Sequence, residues 1–358
     1  MRRFLLLCTL LTSLMTTAQT DTLRNELQSD NLDSTQLAIV YHLAAQLPVN
    51  GEVAIAFLHD GQTDYLGARH EAGRIVTVDN HDKAFAIGSI SKVFTATLLA
   101  DAVERGEIEL DDTVNAAYDF PFHDSITFTY GQLASHTTGL PRLPNNMPGV
   151  IMSPDNPYGA YGPEQLQAYL RDEMGVQQDG SSVYSNLGFG ILAYTLTYKI
   201  AETTYGGALR ERIFDPLGMT QSSNGPDSSR VELVPGYSAD GTPAPYWHFT
   251  DAMAGAGAIV STPQDMARFL TAQMDTSNRV LTLTREPVVE LEGPQAVGLA
   301  WQILSPEPGR TVYWHNGAVA GYRAFTGVDV EQQRGVVVLT NALLMGPEVD
   351  RAGMQLLR

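Results

Sequence analysis

The chain has 358 residues, 44% of them hydrophobic, and carries a formal charge of −18. That length and apolar content allow a substantial core without disulfides or metals. The acidity argues against nucleic acid or an anionic membrane as a partner.

The first residues read as an export leader. Arg2 and Arg3 precede the apolar stretch Phe4 to Met15, and Thr16-Thr17-Ala18 offers small residues for cleavage before Gln19. The expectation is a signal peptide over 1–18, a single domain over 19–358 and an exported, periplasmic or secreted protein. The leader is too short to span a bilayer comfortably, and no later segment has about 18 unbroken apolar residues. Cys8, the one cysteine, lies in the leader, where it sits early for a lipidation site and follows the ill-matched Leu7. After cleavage the chain holds no thiol for a disulfide, a nucleophile or a metal site.

Residues 19 to 35 are polar and read as a loose lead-in. Leu37 to Leu47 has helical spacing of apolar residues. Glu52 to Leu58 alternates as a strand, His59-Asp60-Gly61 carries a turn signal, and Thr63 to Ala68 returns as a second strand. A long amphipathic helix is predicted from Ser89 to Arg105, ended by Gly106. The middle, about 107 to 280, reads as helices and loops. Its clearest helix start is Thr262-Pro263-Gln264-Asp265, with Thr262 as cap and Pro263 at the first helical position. Strands are predicted at Val297 to Leu304, Arg310 to Trp314, Tyr322 to Val330 and Gly335 to Thr340, then a helix from Pro347 to the end. Strands at both ends with helices between predict an α/β fold of the α+β type. An antiparallel sheet of N- and C-terminal strands is packed by helices, with a mainly helical region inserted.

Three elements carry chemistry. The first is Ser89-Ile90-Ser91-Lys92, an S-x-x-K element at a helix start. Positions i and i+3 share a helix face, so Lys92 can reach the Ser89 hydroxyl. A serine is a poor nucleophile until a base takes its proton, and a lysine is a base only when its pKa falls. The second is Tyr184-Ser185-Asn186, which offers a phenol for proton relay and an amide for positioning. The third is His315-Asn316-Gly317-Ala318. As a strand beside the nucleophile, it would let substrate approach closely at Gly317 and pair the Ala318 N–H with that of Ser89 as an oxyanion hole. Alone, each has an ordinary reading: a capped helix with a surface lysine, a loop with a packed tyrosine, a strand-end histidine. Their joint occurrence in order shifts the balance.

The set resembles the serine β-lactamase and penicillin-binding-protein superfamily. It is most similar to the branch with class C β-lactamases, D-peptidases and related esterases, which has S-x-x-K, then Y-x-N, then K-T-G or H-x-G. Leu133-Ala134-Ser135-His136-Thr137-Thr138-Gly139-Leu140-Pro141 resembles that branch's L-L-x-H-T-S-G-L-P signature. Phe214-Asp215-Pro216-Leu217-Gly218-Met219 matches its F-x-P-L-G-M, and Gly257 to Leu270 and Gly298 to Trp301 match later segments. The resemblance implies a β-lactamase/transpeptidase-like fold. It also implies Ser89 as nucleophile, Lys92 as base, Tyr184 as proton relay, and Asn186, His315, Gly317 and Ala318 as substrate or oxyanion groups. His136 is read as structural. Two departures stand out: His315 occupies the place of the class C lysine, and Asp179-Gly180 replaces Pro-Gly before Tyr184.

The expected function is a serine acyl-hydrolase acting on D-amino-acid peptides, of D-Ala-D-Ala carboxypeptidase type, or on small esters, with β-lactams as covalent ligands. Two alternatives stand beside it: a class C-like β-lactamase, and a non-catalytic penicillin or peptide receptor of the same fold, which would acylate once without turnover. A structural cell-envelope protein would not acylate at all. The eight histidines show no H-E-x-x-H spacing, and no phosphate loop appears, so neither metal nor cofactor is expected.

Overall fold

The computed structural model describes residues 23–147, 155–177 and 182–358. The predicted export leader, residues 1–18, and Asp179-Gly180 lie outside the described residues. One ten-stranded sheet organises the chain. Its strands are β1 (Arg24–Glu26), β2 (Glu52–His59), β3 (Gln62–Glu71), β4 (Arg74–Val78), β5 (Val289–Glu290), β6 (Gln295–Val297), β7 (Gln302–Glu307), β8 (Arg310–Val319), β9 (Tyr322–Asp329) and β10 (Arg334–Thr340). They lie in the order β1-β4-β3-β2-β10-β9-β8-β7-β6-β5. Only β1 on β4 is parallel. The junction of the two halves is β2 on β10, with Val338 opposite Ile55. The mixed architecture with N- and C-terminal strands in one sheet is the one expected.

Strand periodicity divides the core. In β2, Val53, Ile55 and Phe57 face one side, while Ala54, Ala56 and Leu58 face the other. The first side is covered by helices α1 (Ser34–Ala44) and α5 (Glu348–Leu356), whose Val40, Leu43, Val349 and Leu356 join the same cluster. The small alanines of the second side let helix α4 (Pro263–Gln273) and the large helical region pack closely. The Thr262 hydroxyl accepts from the Asp265 N–H, so α4 begins where its cap predicted.

Several boundaries differ from expectation. The lead-in is not loose throughout, because Arg24–Glu26 adds to the sheet edge. Arg74–Val78 is a strand that the sequence reading passed over, although its β-branched run carried the signal. The predicted strand Val297 to Leu304 is broken: Gly298–Trp301 forms a turn, with Ala300 at φ 66° and its N–H donating to Ala134 O at 2.8 Å. The helix predicted from Ser89 begins at Ser91 as α2 (Ser91–Glu104), preceded by a 3₁₀ turn at Gly88–Ile90. The strand predicted over Arg310 to Trp314 and the third motif, read as a strand beside the nucleophile, form one unbroken strand that reaches Val319. Among the described residues, no helix is long and apolar enough to cross a membrane.

Helix α5 rests on the sheet through a glycine. A Cβ on Gly353 would lie 2.1 Å from Phe325 Cδ1, in a ring that is fully buried. Gly353→Ala should therefore overpack this face and destabilise by roughly 1–3 kcal/mol. Urea unfolding checks it: the midpoint should fall, with little change in the slope.

Candidate active site

The site forms where β8 meets the start of α2. The chain enters through Phe85–Ala86, which pairs with Ile259–Ser261, and turns at Gly88, whose φ is +53°. The Gly88–Ile90 turn packs against the part of β8 beyond Trp314, where pairing with β7 has ended. A Cβ on Gly317 would lie 1.9 Å from Ile87 O and 3.2 Å from Ser89 N, and one on Gly88 would lie 2.7 Å from Ala318 N. Only glycines allow the two backbones to approach this far. The amides of Ser89 and Ala318 are thereby brought into one corner.

Ser89 sits on the turn and Lys92 on the first turn of α2, so the i, i+3 spacing holds. Lys92 Nζ stands 3.2 Å from Ser89 Oγ and donates to Ala256 O at 2.7 Å. Ser91 faces the other way: it is fully buried, and its hydroxyl accepts from the Ile259 N–H at 3.0 Å. Ser185 is also occupied, capping α3 (Asn186–Tyr194) by accepting from Gly188 N–H and donating to Pro141 O. Ser89 is the serine left facing the cleft.

Lys92 is fully buried, and no carboxylate pairs with it among the described residues. Its amine lies 4.8 Å from the Tyr184 ring centroid and 5.7 Å from that of Phe189. Burial first, and then the charge of Arg142, hold its pKa well below the ordinary lysine value. Burial likewise pushes the Tyr184 phenol up to about 12, against the opposing pull of its hydrogen bond with Ser89.

Tyr184 is held from both flanks by one residue. His136 O accepts from Val183 N–H at 2.9 Å, and His136 Nδ1 accepts from Ser185 N–H at 3.1 Å. The two rings lie 4.6 Å apart. The acceptor role of Nδ1 fixes a neutral imidazole, and burial lowers the His136 pKa in the same sense. His136 adopts φ 63°, a strained conformation for a non-glycine residue, and is held there by these contacts.

Asn186 begins α3. Its Nδ2 donates to Tyr158 Oη at 3.1 Å, while its Oδ1 is buried without a partner. His315 is also buried. Its Nδ1 donates to Asn316 O at 2.6 Å, and its Nε2 has no partner. Burial, then Lys92, lower the His315 pKa to about 4, with the Asn316 bond opposing. The imidazole is therefore neutral near pH 7, 6.4 Å from the Tyr184 ring. Of the sequence-predicted site residues, Ser89, Asn186 and Ala318 line one cleft of about 480 Å³; Lys92, Tyr184, His315 and Gly317 do not line it and are packed beside these.

The structure adds residues that the sequence reading missed. Ala256 supplies the carbonyl that anchors Lys92. Tyr158, Trp247 and Phe249 form an aromatic wall, with Tyr158 and Phe249 stacked at 4.5 Å. Arg142 lines the cleft and lies 5.1 Å from the Tyr184 ring centroid. No short motif marks these residues; they meet only in the folded chain. Arg323, the cation nearest the third motif in sequence, also lines the cleft, but its guanidinium is paired with Asp350 at 3.0 Å.

The Beta-lactamase family model matches residues 44–357. The chain belongs to the Beta-lactamase family. A D-alanyl-D-alanine-carboxypeptidase/endopeptidase, AmpH of Escherichia coli K12, is 26% identical over 288 residues, covering 72% of this chain and 71% of the relative. A protein named penicillin-binding protein 4 from Amycolatopsis lactamdurans is 30% identical, covering 62% and 59%. A class C β-lactamase structure from Rhodobacter sphaeroides superposes with a TM-score of 0.75 at 20% identity, covering 91% of this chain and 98% of that one. The fold is therefore the β-lactamase/transpeptidase fold, and the protein is a serine hydrolase of this family.

The buried neutral His315 makes stability pH-dependent. Its folded pKa of about 4 lies below the ordinary 6.5, so the unfolded chain binds more protons between these values. Its contribution is present above pH 6.5 and is lost as pH falls toward 4. His315→Gln should flatten the acid side of the stability profile in that window. Thermal melts from pH 4 to 7 on both proteins provide the check, and parallel profiles would count against a buried neutral imidazole.

Proposed function

We propose that the protein is a serine acyl-hydrolase working through a Ser89 acyl-enzyme, on D-amino-acid peptides or small esters. The observation that carries this reading is the buried Lys92 amine, 3.2 Å from Ser89 Oγ and without a carboxylate partner among the described residues.

A neutral Lys92 keeps a lone pair facing the serine while its N–H donates to Ala256 O. Lys92 takes the Ser89 proton as the oxygen attacks the substrate carbonyl. The tetrahedral oxyanion is received by the N–H groups of Ser89 and Ala318. The carbon–heteroatom bond then breaks, and the leaving group receives the proton through Tyr184, whose raised pKa keeps it protonated and ready to donate. Water attacks the ester by the reverse relay, giving the acid and free Ser89. Asn186 lines the cleft, where its side-chain amide positions a substrate amide. His315 supplies shape and a polar edge rather than charge.

The neutral third motif favours esters and peptides over rapid β-lactam hydrolysis, because it holds no fixed cation for a β-lactam carboxylate. Arg2, Arg3 and the apolar Phe4 to Met15 support export to the periplasm or medium. β-Lactams fit this reading as slow covalent ligands.

Incubation with a penicillin or a serine-directed phosphonate should add one adduct, and peptide mapping should place it on Ser89. An adduct on Ser91 or Ser185 would overturn the assignment. Lys92→Ala should lower acylation by on the order of 10²-fold or more; a wild-type rate would remove Lys92 as base. His315→Lys should raise kcat/KM for a chromogenic cephalosporin relative to a p-nitrophenyl ester. A wild-type protein that destroys the cephalosporin and ignores the ester would instead be a β-lactamase.

A further inference from the structure

The cleft is mostly apolar. Its described lining includes Leu143, Phe249, Val319 and Leu344 and contains no aspartate or glutamate. Two cations reach it. Arg323 is spent on Asp350, which also accepts from Asn316 Nδ2 at 2.7 Å. Arg142 has no carboxylate partner among the described residues.

Arg142 is nevertheless firmly placed. Its carbonyl accepts from Asn186 N–H at 3.0 Å and Leu187 N–H at 3.2 Å, so the residue is tied to the start of α3. Its guanidinium lies over the Tyr184 ring, a stacking that pre-orders the planar group. In a chain of net charge −18, an arginine that lines an apolar cleft, with no carboxylate on it or in the lining among the described residues, is a local reversal of sign. Such a focus attracts an anion, and a guanidinium in this setting binds a carboxylate bidentately. The stacked rings of Tyr158 and Phe249, with Trp247 5.9 Å from Tyr158, offer an apolar aromatic surface in the same cleft.

We infer that Arg142 is a substrate-anchoring residue, and that the preferred substrates are amphipathic acyl compounds with a free carboxylate held by Arg142 and an apolar group against the Tyr158–Phe249–Trp247 wall. This inference rests on the Ser89 acyl-hydrolase reading and narrows its substrate class.

Two pairs of substrates test it and distinguish where the carboxylate is carried. In the first, the acyl half differs: the p-nitrophenyl ester of 4-carboxyphenylacetic acid against that of 4-carbamoylphenylacetic acid. In the second, the leaving group differs: the phenylacetyl thioester of mercaptoacetate against that of mercaptoacetamide. For each pair the readout is the ratio of kcat/KM, charged over neutral. The wild type should favour the charged member of at least one pair. Arg142→Gln should lower that ratio roughly tenfold or more, as expected for loss of a charge-assisted bond, and Arg142→Lys should keep it within about threefold of wild type. Arginine acting only through Lys92 or Tyr184 would shift both members together, so unchanged ratios in Arg142→Gln would overturn the inference. If the wild type turns over none of the four compounds and Ser89 takes no label, the acyl-hydrolase reading fails by itself. Calorimetric binding of 4-carboxyphenylacetate against 4-carbamoylphenylacetate to wild type and Arg142→Gln then decides the anchor. Tighter binding of the dianion that is lost in Arg142→Gln supports it, and equal binding of both compounds overturns it.

Discussion

The burial of one lysine amine without a counter-ion is the constraint on which the site depends. A charged ammonium in that position would cost several kcal/mol of lost hydration with no carboxylate to offset it. The inexpensive solution is a neutral amine, and a neutral amine is a base. The surroundings keep it so: the Tyr184 and Phe189 rings exclude water, the Ala256 carbonyl takes one N–H, and Arg142 adds a like charge. An aspartate beside Lys92 would stabilise the ammonium and remove the lone pair. The apolar packing around α2 is therefore part of the chemistry as well as of the core.

The same desolvation sets the neighbouring groups. His136 and His315 are both held neutral, first of all by burial. A neutral His136 is required by its geometry, since its Nδ1 accepts the Ser185 N–H. With its carbonyl on Val183, that bond fixes the backbone on either side of Tyr184. On the proposed mechanism His136 therefore acts through Tyr184, as a positioning residue. Its strained φ of 63° is the local cost of aiming ring and carbonyl at one strand of chain.

Local spacing made part of this legible from sequence. Ser89 and Lys92 are three residues apart on one helical turn, so their meeting needs no tertiary knowledge. Tyr184 and His315 lie far from Ser89 in sequence and were identified through the ordered resemblance, because no periodicity links them to the serine. That β8 runs unbroken from Arg310 to Val319 was less legible, because His315-Asn316-Gly317 lacks the apolar alternation of a half-buried strand. Burial there still alternates, with His315, Gly317 and Val319 inward, but a histidine and a glycine in the inward places hide the pattern. Arg142 and the aromatic wall were illegible for a different reason. Tyr158 and Phe249 are separated by a long stretch of helices and loops, and only the folded chain stacks them. The missed strand Arg74–Val78 is a lesser case, since its β-branched run was visible.

The distribution of charge distinguishes this cleft from one built on a third-motif lysine. A lysine there would place a permanent cation beside the reacting carbonyl, where it stabilises anionic substrates and also repels a protonated Lys92. A buried neutral imidazole removes both effects. The permanent charge is carried instead at Arg142, across the Tyr184 ring and on the other motif's wall, where it still depresses Lys92 but reaches a different part of the substrate. On the proposed reading, moving the cation rather than abolishing it keeps the base neutral and changes which end of the substrate would be held. On the proposed mechanism the substrate-holding groups, Arg142 and the aromatic wall, are distinct from the proton-transfer groups Ser89, Lys92 and Tyr184, whose geometry is set by glycine contacts and burial.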